Sequence, residues 1–410
     1  MPPRSTEESD PQHRVLLTYG WVRTSYMALR NLTDHGVKVW VSDTFRTGMC
    51  QASRRRAGFV RYPPAYVDEQ AFVRHLAEAC TARGIGLVFP SHNETEILAR
   101  HRALLPEGAD RLIPKAEHCA LFNNKADAYT LAESLGLRVP RRLSYRDPSE
   151  IPSLVRDLGT NGVVIKLLTG NSARGVTYAE SGDEAQRKVS EWIERYQLAP
   201  ARYPQIEERV TGDGAGCSVL YWQGQRIATF CHRRLRERVA TGGTSTLRES
   251  IASPALVDAA TRLFDHIGWH GLAMSEFKLA SDGGAPWFIE VNPRLWGSLP
   301  LAVSAGVEFP YLLWSCAVNG PDAALEYHRR ANVRIGWKGR WLWGDCLLAG
   351  TQLMKLHPVQ ACRTLFSSRS DAWDDLHWDD PAAFAGQFMR FAARAFSRRA
   401  KERVKEGALR

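Results

Sequence analysis

Apolar and polar positions change their period several times along this chain, and the changes mark its parts. Val15-Leu16-Leu17-Thr18-Tyr19 is a short continuous apolar run that predicts a buried strand. Helical spacing follows from about Thr24 to Asp34 and stops before Gly36, and Val37 to Val41 predicts the next strand. A helix over about Asp68 to Arg83 leads into a strand over Leu87 to Pro90. Strands alternating with helices predict a parallel sheet with crossover helices, an α/β domain over residues 14–113, preceded by a disordered polar tail over 1–13. Near Ile113-Pro114 the pattern changes. A helical block carries Asn123-Asn124-Lys125, a second helix stops at Gly136, and residues 141–320 mix strands with fewer helices, in the α+β manner. Beyond Gly320 the pattern predicts a mainly helical extension, ending in a basic helix over about Pro381 to Lys405.

One strand carries chemistry. In Trp287-Phe288-Ile289-Glu290-Val291-Asn292-Pro293-Arg294, Glu290 and Asn292 lie two residues apart and so share a face. A carboxylate beside an amide oxygen suits Mg²⁺, which takes hard oxygens and keeps waters and phosphates in its shell. Arg294 falls on the same face if the extended backbone persists. Upstream, Gly271 to Lys278 alternates and reaches the turn Ser281-Asp282-Gly283-Gly284, a hairpin pattern that sets Glu276 beside Glu290. The plainer alternative is a buried strand ending at a proline turn, with the carboxylates salt-bridged to Lys278 or Arg294.

Composition narrows the field. A chain of 410 residues with 44% hydrophobic positions is large enough for two or three cored domains. No apolar run is long enough to span a bilayer, and Met1 to Asp10 has no apolar signal core, so a cytoplasmic protein without membrane insertion is expected. Eight cysteines are scattered with no CxxC spacing, which fits reduced thiols better than disulfides or zinc. The formal charge of +10 gathers partly at the end, in Arg398-Arg399-Ala400-Lys401 and Arg403, and is otherwise spread, so nucleic acid is not expected as a partner. Trp337, Trp341 and Trp343, followed by the acidic aromatic stretch Asp371 to Asp380, either pack onto the body or form an interfacial helix.

Further segments have ligand-binding chemistry. Asn161 to Lys166 is a turn and an apolar strand that delivers a lysine, followed by the loop Thr169-Gly170-Asn171-Ser172-Ala173-Arg174-Gly175-Val176. Glycines admit close backbone approach, Ser172 adds a hydroxyl and Arg174 a guanidinium suited to phosphate, although a plain hairpin turn explains the glycines as well. Gln205 to Gly214 is a strand with Glu207 and Glu208 that leaves the sheet at Gly212 and can offer backbone groups to an adenine edge; a solvated Glu-Glu face is the alternative. In His232-Arg233-Arg234-Leu235-Arg236, alternation sets Arg234 and Arg236 on one face and Arg233 on the other. His92 follows the strand at Leu87 to Pro90, where open α/β sheets present ligand groups, with helix capping by the Ser/Asn cluster as the plainer role. Tyr19-Gly20-Trp21 lacks the GxGxxG spacing of a dinucleotide site.

The order of these elements is more specific than any one of them. Asn124-Lys125, Lys166 with its Gly/Ser/Arg loop, Glu207 to Gly212, Glu276 and Glu290 to Arg294 together resemble the ATP-grasp superfamily, in its carbamoyl-phosphate-synthase-like carboxylate–amine ligase branch. The resemblance covers about residues 14–318 and implies a two-subdomain ATP-grasp fold over 114–320, with a lid over about 130–205. It implies that Lys125 and Lys166 hold ATP phosphates and that the Ser172, Arg174, Gly175 loop is a flap. Glu207, Glu208 and Val210 border adenine, Glu276, Glu290 and Asn292 hold one or two Mg²⁺ (Mn²⁺ as a substitute), and Arg294 steadies an acyl phosphate. Arg234 is the arginine of the basic cluster assigned to the substrate carboxylate or acyl phosphate. One departure stands out: the family's ribose-binding glutamate is replaced here by Gly214, with Asp213 as its stand-in.

A carboxylate is a poor acyl donor because its leaving group is oxide. Phosphoryl transfer converts it to an acyl phosphate, whose phosphate leaves when an amine attacks. The expected function is therefore an ATP-dependent ligase joining an acid, an amino acid by preference, to an amine, with small-molecule partners and a possible homodimer. Carboxylation through carboxyphosphate and a non-catalytic nucleotide-binding protein are the alternatives.

Overall fold

The computed structural model describes residues 10–159, 162–169, 175–237, 244–280, 283–366 and 369–396, with residues 394–396 described by backbone alone. The predicted polar tail already has order at its end: Asp10 accepts from Gln12 N, and Pro11–His13 form a 3-10 turn. Proline at the first position fixes the backbone there, which is why the expected disorder does not extend through residue 13.

Strands β1 (Arg14–Leu17), β2 (Lys38–Asp43), β3 (Gly58–Arg61) and β4 (Leu87–Phe89) form a parallel sheet in the order β3-β2-β1-β4. Helices Arg23–Asp34 and Glu69–Arg83 make the crossovers, the second started by the Asp68 side chain and stopped by Gly84 in the left-handed conformation. The strand at Gly58–Arg61 has little apolar patterning, with only Val60 buried, and sequence periodicity does not reveal it.

A second sheet, β5 (Arg142–Leu143), β6 (Val163–Lys166), β7 (Val176–Ala179) and β8 (Gln205–Glu208), has the order β5-β8-β6-β7, wholly antiparallel. Helices Ile151–Leu158 and Gly182–Tyr196 cover it, and its small core of Ile151, Val163, Ile165, Ala185, Val189 and Ile206 is its own. The largest sheet holds β9 (Gly212–Trp222), β10 (Gln225–Glu237), β11 (Ser245–Ile251), β12 (Gly271–Ala280), β13 (Trp287–Asn292), β14 (Lys338–Arg340) and β15 (Ala372–Trp373) in the order β13-β12-β9-β10-β11-β14-β15.

Two continuous cores run between the N-terminal sheet and this large sheet, one joining Leu16 and Phe72 to Val219 and Phe264, the other Val15 and Leu29 to Leu220 and Leu313. Those two sheets therefore share buried surface, while the four-stranded antiparallel unit stands on a core of its own. The C-terminal extension is helical at Pro321–Arg329, Leu342–Met354, Pro358–Phe366 and Pro381–Phe396, but it also donates β14 and β15 to the large sheet. Trp341 is buried under the Arg23 guanidinium, 4.0 Å from its ring, so this part packs onto the body. No described helix is long and apolar enough to cross a membrane, and all eight cysteines are free.

Candidate active site

Antiparallel pairing of β12 and β13 sets Glu276 directly opposite Glu290, and Met274 opposite Asn292. The strand pair turns these polar groups toward one cleft of about 1340 Å³, and a register shift between Glu276 and Phe277 breaks the alternation, so that Phe288, two residues before Glu290, enters the core with Phe277 and Val291. Asn292 Nδ2 donates to Glu276 Oε1 at 3.2 Å, which leaves the amide oxygen as an additional hard donor. Arg234 Nη2 donates to Glu276 Oε2 at 2.6 Å, and Lys125 Nζ lies 3.7 Å from Glu290 Oε2. Burial holds the Glu276 carboxyl above its ordinary range, the Arg234 guanidinium pulls it down, and Glu290 pushes it up again. Burial also works against the charge of Arg234, but Glu276 and Glu237 outweigh it and raise its pKa. Two facing carboxylates and an amide oxygen fit an Mg²⁺ whose remaining positions are taken by water and phosphate. Among the described residues no group of three or more His, Cys, Asp or Glu is gathered for a metal, so a carboxylate- or imidazole-rich cage is not what this strand pair offers.

The extended backbone does not continue to Arg294, as the same-face expectation assumed. Proline interrupts the strand, and Arg294 N donates to Asn292 O across a tight turn at 2.9 Å. The side chain still lines the cleft, and burial lowers its pKa against the pull of Glu290.

The antiparallel unit closes the other side. Lys166, at the end of β6, is buried in an ion pair with Glu207 of β8 and donates to the Tyr129 hydroxyl at 3.1 Å. Glu207 and Glu208 diverge, as neighbours on a strand must: Glu208 accepts from Arg141 N at 3.0 Å and Arg141 Nε at 2.9 Å. The Val210 carbonyl accepts from Lys278 Nζ at 2.9 Å, and Asp213 is exposed at the start of β9 along the cleft. Gly175 holds φ +75°, and its carbonyl accepts from Leu167 N. Ser172 and Arg174 lie outside the described residues. Gly214 has a steric reason: a Cβ there would stand 2.9 Å from Arg234 Cδ, so a side chain at this position competes with the arginine that reaches Glu276. Arg236 lines the cleft with Arg234 but pairs with Asp345 of the extension, while Arg233 pairs with Glu249 away from it.

Comparison with known proteins agrees with this arrangement. A family model described as "ATP-grasp in the biosynthetic pathway with Ter operon" matches residues 210–338, the segment that holds β9 to β13 with Glu276 and Glu290. Over those residues the chain is similar to the ATP-grasp family. It is similar to phosphoribosylamine–glycine ligase of Archaeoglobus fulgidus, 26% identical over 129 residues, which are 31% of this chain and 27% of that enzyme. Its fold is that of biotin carboxylase from Campylobacter jejuni, at a TM-score of 0.60 and 16% identity over 78% of this chain and 73% of that one. It is equally that of an L-amino acid ligase from Bacillus licheniformis, at 0.59 and 17% over 79% and 78%.

Some residues in or behind the cleft gave no signal in the sequence. Tyr129 looks like a core tyrosine of a helix, and only the fold brings its hydroxyl to Lys166. The extension supplies Trp341, Gln387 and Arg390 to the cleft wall from positions far along the chain. The N-terminal domain supplies Asp43, Tyr62 and Glu94, which sit at strand and loop ends with no motif around them. The expected capping by Asn93 does not occur, because its side chain makes no cap bond; His92 instead stacks on Tyr19.

Proposed function

We propose that this protein is an ATP-dependent carboxylate–amine ligase that activates an acid, an amino acid by preference, as an acyl phosphate and releases ADP and phosphate. The observation that carries the reading is the Glu276–Glu290 pair facing Asn292, Lys125 and Arg294 across one cleft from Lys166. A pure scaffold has no use for two opposed carboxylates at one point of a cleft, whereas triphosphate transfer needs that density of donors.

In this reading Glu276, Glu290 and Asn292 hold Mg²⁺, which when bound neutralises phosphate charge and aligns the transferring group. Lys166 keeps one ammonium donor beyond those given to Glu207 and Tyr129, and turns it to phosphate or adenine. Lys125 contacts phosphate from beside Glu290. The backbone from Glu207 to Val210 borders adenine, and Asp213 accepts from ribose. Arg294 and Arg234 steady the acid as its carboxylate takes the phosphoryl group.

The test is the nucleotide product. With MgATP, an acid and an amine, ADP and phosphate appear in equal amounts with an amide, and hydroxylamine traps the activated acid as a hydroxamate. AMP as the stoichiometric product removes the acyl-phosphate route, and strict dependence on bicarbonate moves the protein to carboxylation.

A further inference from the structure

Folded chains seldom set large apolar side chains on an exposed turn, and the C-terminal extension does so at one place. Helices Leu342–Met354 and Pro358–Phe366 form a hairpin joined by Lys355, Leu356 and His357. Around the reversal Leu353, Met354, Leu356 and Val359 are 54%, 80%, 86% and 63% exposed, and Phe366 at the end of the second helix is 79% exposed. Single apolar residues are ordinary on a surface; four within seven residues at one tip are not. Leu356 adds a second signal. It holds φ 62° just after a helix, where glycine or asparagine is usual, and His357 N closes the turn on Gln352 O at 2.9 Å. A leucine is strained in that conformation, and here its side chain gains nothing from the interior.

The hairpin is fastened behind its tip. Arg340 Nη2, from β14, donates to the Thr364 and Leu365 carbonyls at 2.9 and 2.7 Å, and Thr364 Oγ1 donates to Gln352 Oε1 at 3.0 Å. Near the start of the first helix, buried Asp345 accepts from Arg340 Nε at 2.6 Å and pairs with Arg236 of the cleft wall. The charge along the hairpin has one sign. From Cys346 to Ser370 there is no aspartate or glutamate, while Lys355, His357, Arg363 and Arg369 are all exposed. The acids that bound this stretch are occupied, Asp345 by the two arginines and Asp371 by Lys338 N at 2.8 Å.

Apolar side chains accompanied by cations, with no acid among them, complement a surface that is anionic outside and oily within. Nucleic acid would use the cations and has no use for Leu353, Met354 and Leu356. A protein partner covers one face, whereas these side chains stand on both sides of a chain reversal, two of them at successive positions of one helix and Val359 on the next. A fluid medium surrounds such a tip. We propose that the hairpin tip at Leu353–Val359 docks this protein on an anionic phospholipid surface. Met354 and Leu356 enter the boundary between head groups and acyl chains, and Lys355, Arg363 and Arg369 meet lipid phosphates. This is adsorption by a tip and involves no span. The Asp345–Arg236 pair joins the docked hairpin to the cleft wall, and the inference stands whether or not the cleft is that of a ligase.

The test floats the full chain with vesicles of phosphatidylcholine alone and of equal parts phosphatidylcholine and phosphatidylglycerol. Wild type should partition onto the phosphatidylglycerol vesicles at least about tenfold better, and lose most of that preference between about 0.05 M and about 0.5 M salt. Leu356→Gly relieves the left-handed backbone and removes the side chain, so its melting temperature should hold or rise while partitioning falls at least about fivefold. Met354→Ser, in regular helix, should repeat the loss, and Lys355→Glu should lower partitioning at least about fivefold at the lower salt. Failure to bind phosphatidylglycerol vesicles, or equal binding to both kinds, overturns the proposal. Binding that Leu356→Gly and Met354→Ser leave unchanged overturns it too, since charge alone would then carry the contact. A lipid-free dimer by light scattering that becomes a monomer in Leu356→Gly overturns it in favour of a second copy of the chain.

Discussion

Two acidic regions of this molecule treat charge in opposite ways. In the extension, Asp374 takes Arg248 Nη2 on both oxygens, at 2.6 and 2.5 Å, and Arg23 Nε at 3.1 Å, with all three residues buried. Asp375 takes Leu342 N, Trp343 N and Gln387 Nε2, and Asp380 takes Ser53, Tyr26 and Arg54 N. Arg23 and Arg248 both donate onward to the Gly297 carbonyl, so this stretch ties the N-terminal domain to the large sheet. On β12 and β13 two carboxylates face one another instead, and each has one basic side chain beside it. Saturated acids hold a fold together. Opposed acids that border a cleft leave attraction for a cation that is not part of the chain.

The sharpest way to break the comparison is Glu290→Gln. It keeps the shape of the strand and removes one of the paired charges. ADP formation should fall by at least about 10³-fold, on the order of 4 kcal/mol of transition-state stabilisation, with the melting temperature changed by no more than a few degrees. Near wild-type ADP formation would show that the strand pair is not the metal site.

Asp374→Asn probes the other region. It leaves the Arg23 and Arg248 guanidiniums buried without their anion, and burial already lowers Arg23 to about 10. Removing one partner of such a network costs about 3–5 kcal/mol. Denaturant unfolding should show that loss, while the KM for MgATP of the folded fraction stays unchanged, because no nucleotide contact passes through Asp374.

These regions differ equally in how far the sequence announces them. Glu290 and Asn292 share a face by strand alternation, and the hairpin turn that follows Lys278 brings Glu276 across, so local rules suffice to assemble that site. The parallel N-terminal sheet was legible for the same reason, as its strands are short apolar runs between helical periods. Asp374 finds Arg23 across 351 residues and Arg248 across 126, and no local period encodes such pairings. The expectation of a mainly helical extension missed β14 and β15 because strands of three and two residues carry no periodicity, and β14 forms by pairing with the edge of β11, β15 by pairing with β14. Glu94 was passed over for the capping role of its neighbours, since nothing local shows that Tyr62 lies beneath it.

The third prediction follows from the Glu94 carboxyl. Its pKa is raised from 4.5 to about 8 in the fold, chiefly by burial. A raised carboxyl contributes stability that is complete below its unfolded pKa and is lost as the pH rises through its folded value. Asp43 and Asp375 are raised to about 6 and act in the same direction, but their loss is over near neutrality. Between about pH 7 and about pH 9 the melting temperature of the ligand-free protein should therefore fall by a few degrees, and Glu94→Gln should flatten that part of the curve. An equal slope in the variant would place the titration elsewhere.

The smallest effect comes from a pair of neighbours on β10. Arg233 and Arg234 are adjacent, and strand alternation sends them to opposite faces. Arg234 enters the cleft and donates to Glu276, whereas Arg233 is nearly half exposed and pairs with Glu249 through Nη2 at 2.6 Å and Nε at 2.8 Å. Solvent screens that second pair, and Lys338 stands 3.7 Å from the same carboxylate to take up its charge. Arg233→Ala should cost about 0.2–1 kcal/mol of stability and leave kcat and both substrate KM values within about twofold. Arg234→Ala keeps the strand and loses the cation held by Glu276, so its penalty should appear in turnover. If Arg233→Ala were to lower kcat as far as Arg234→Ala does, basic charge on this strand would act through the general field of the sheet, and the contrast between saturated and open acids would lose its meaning.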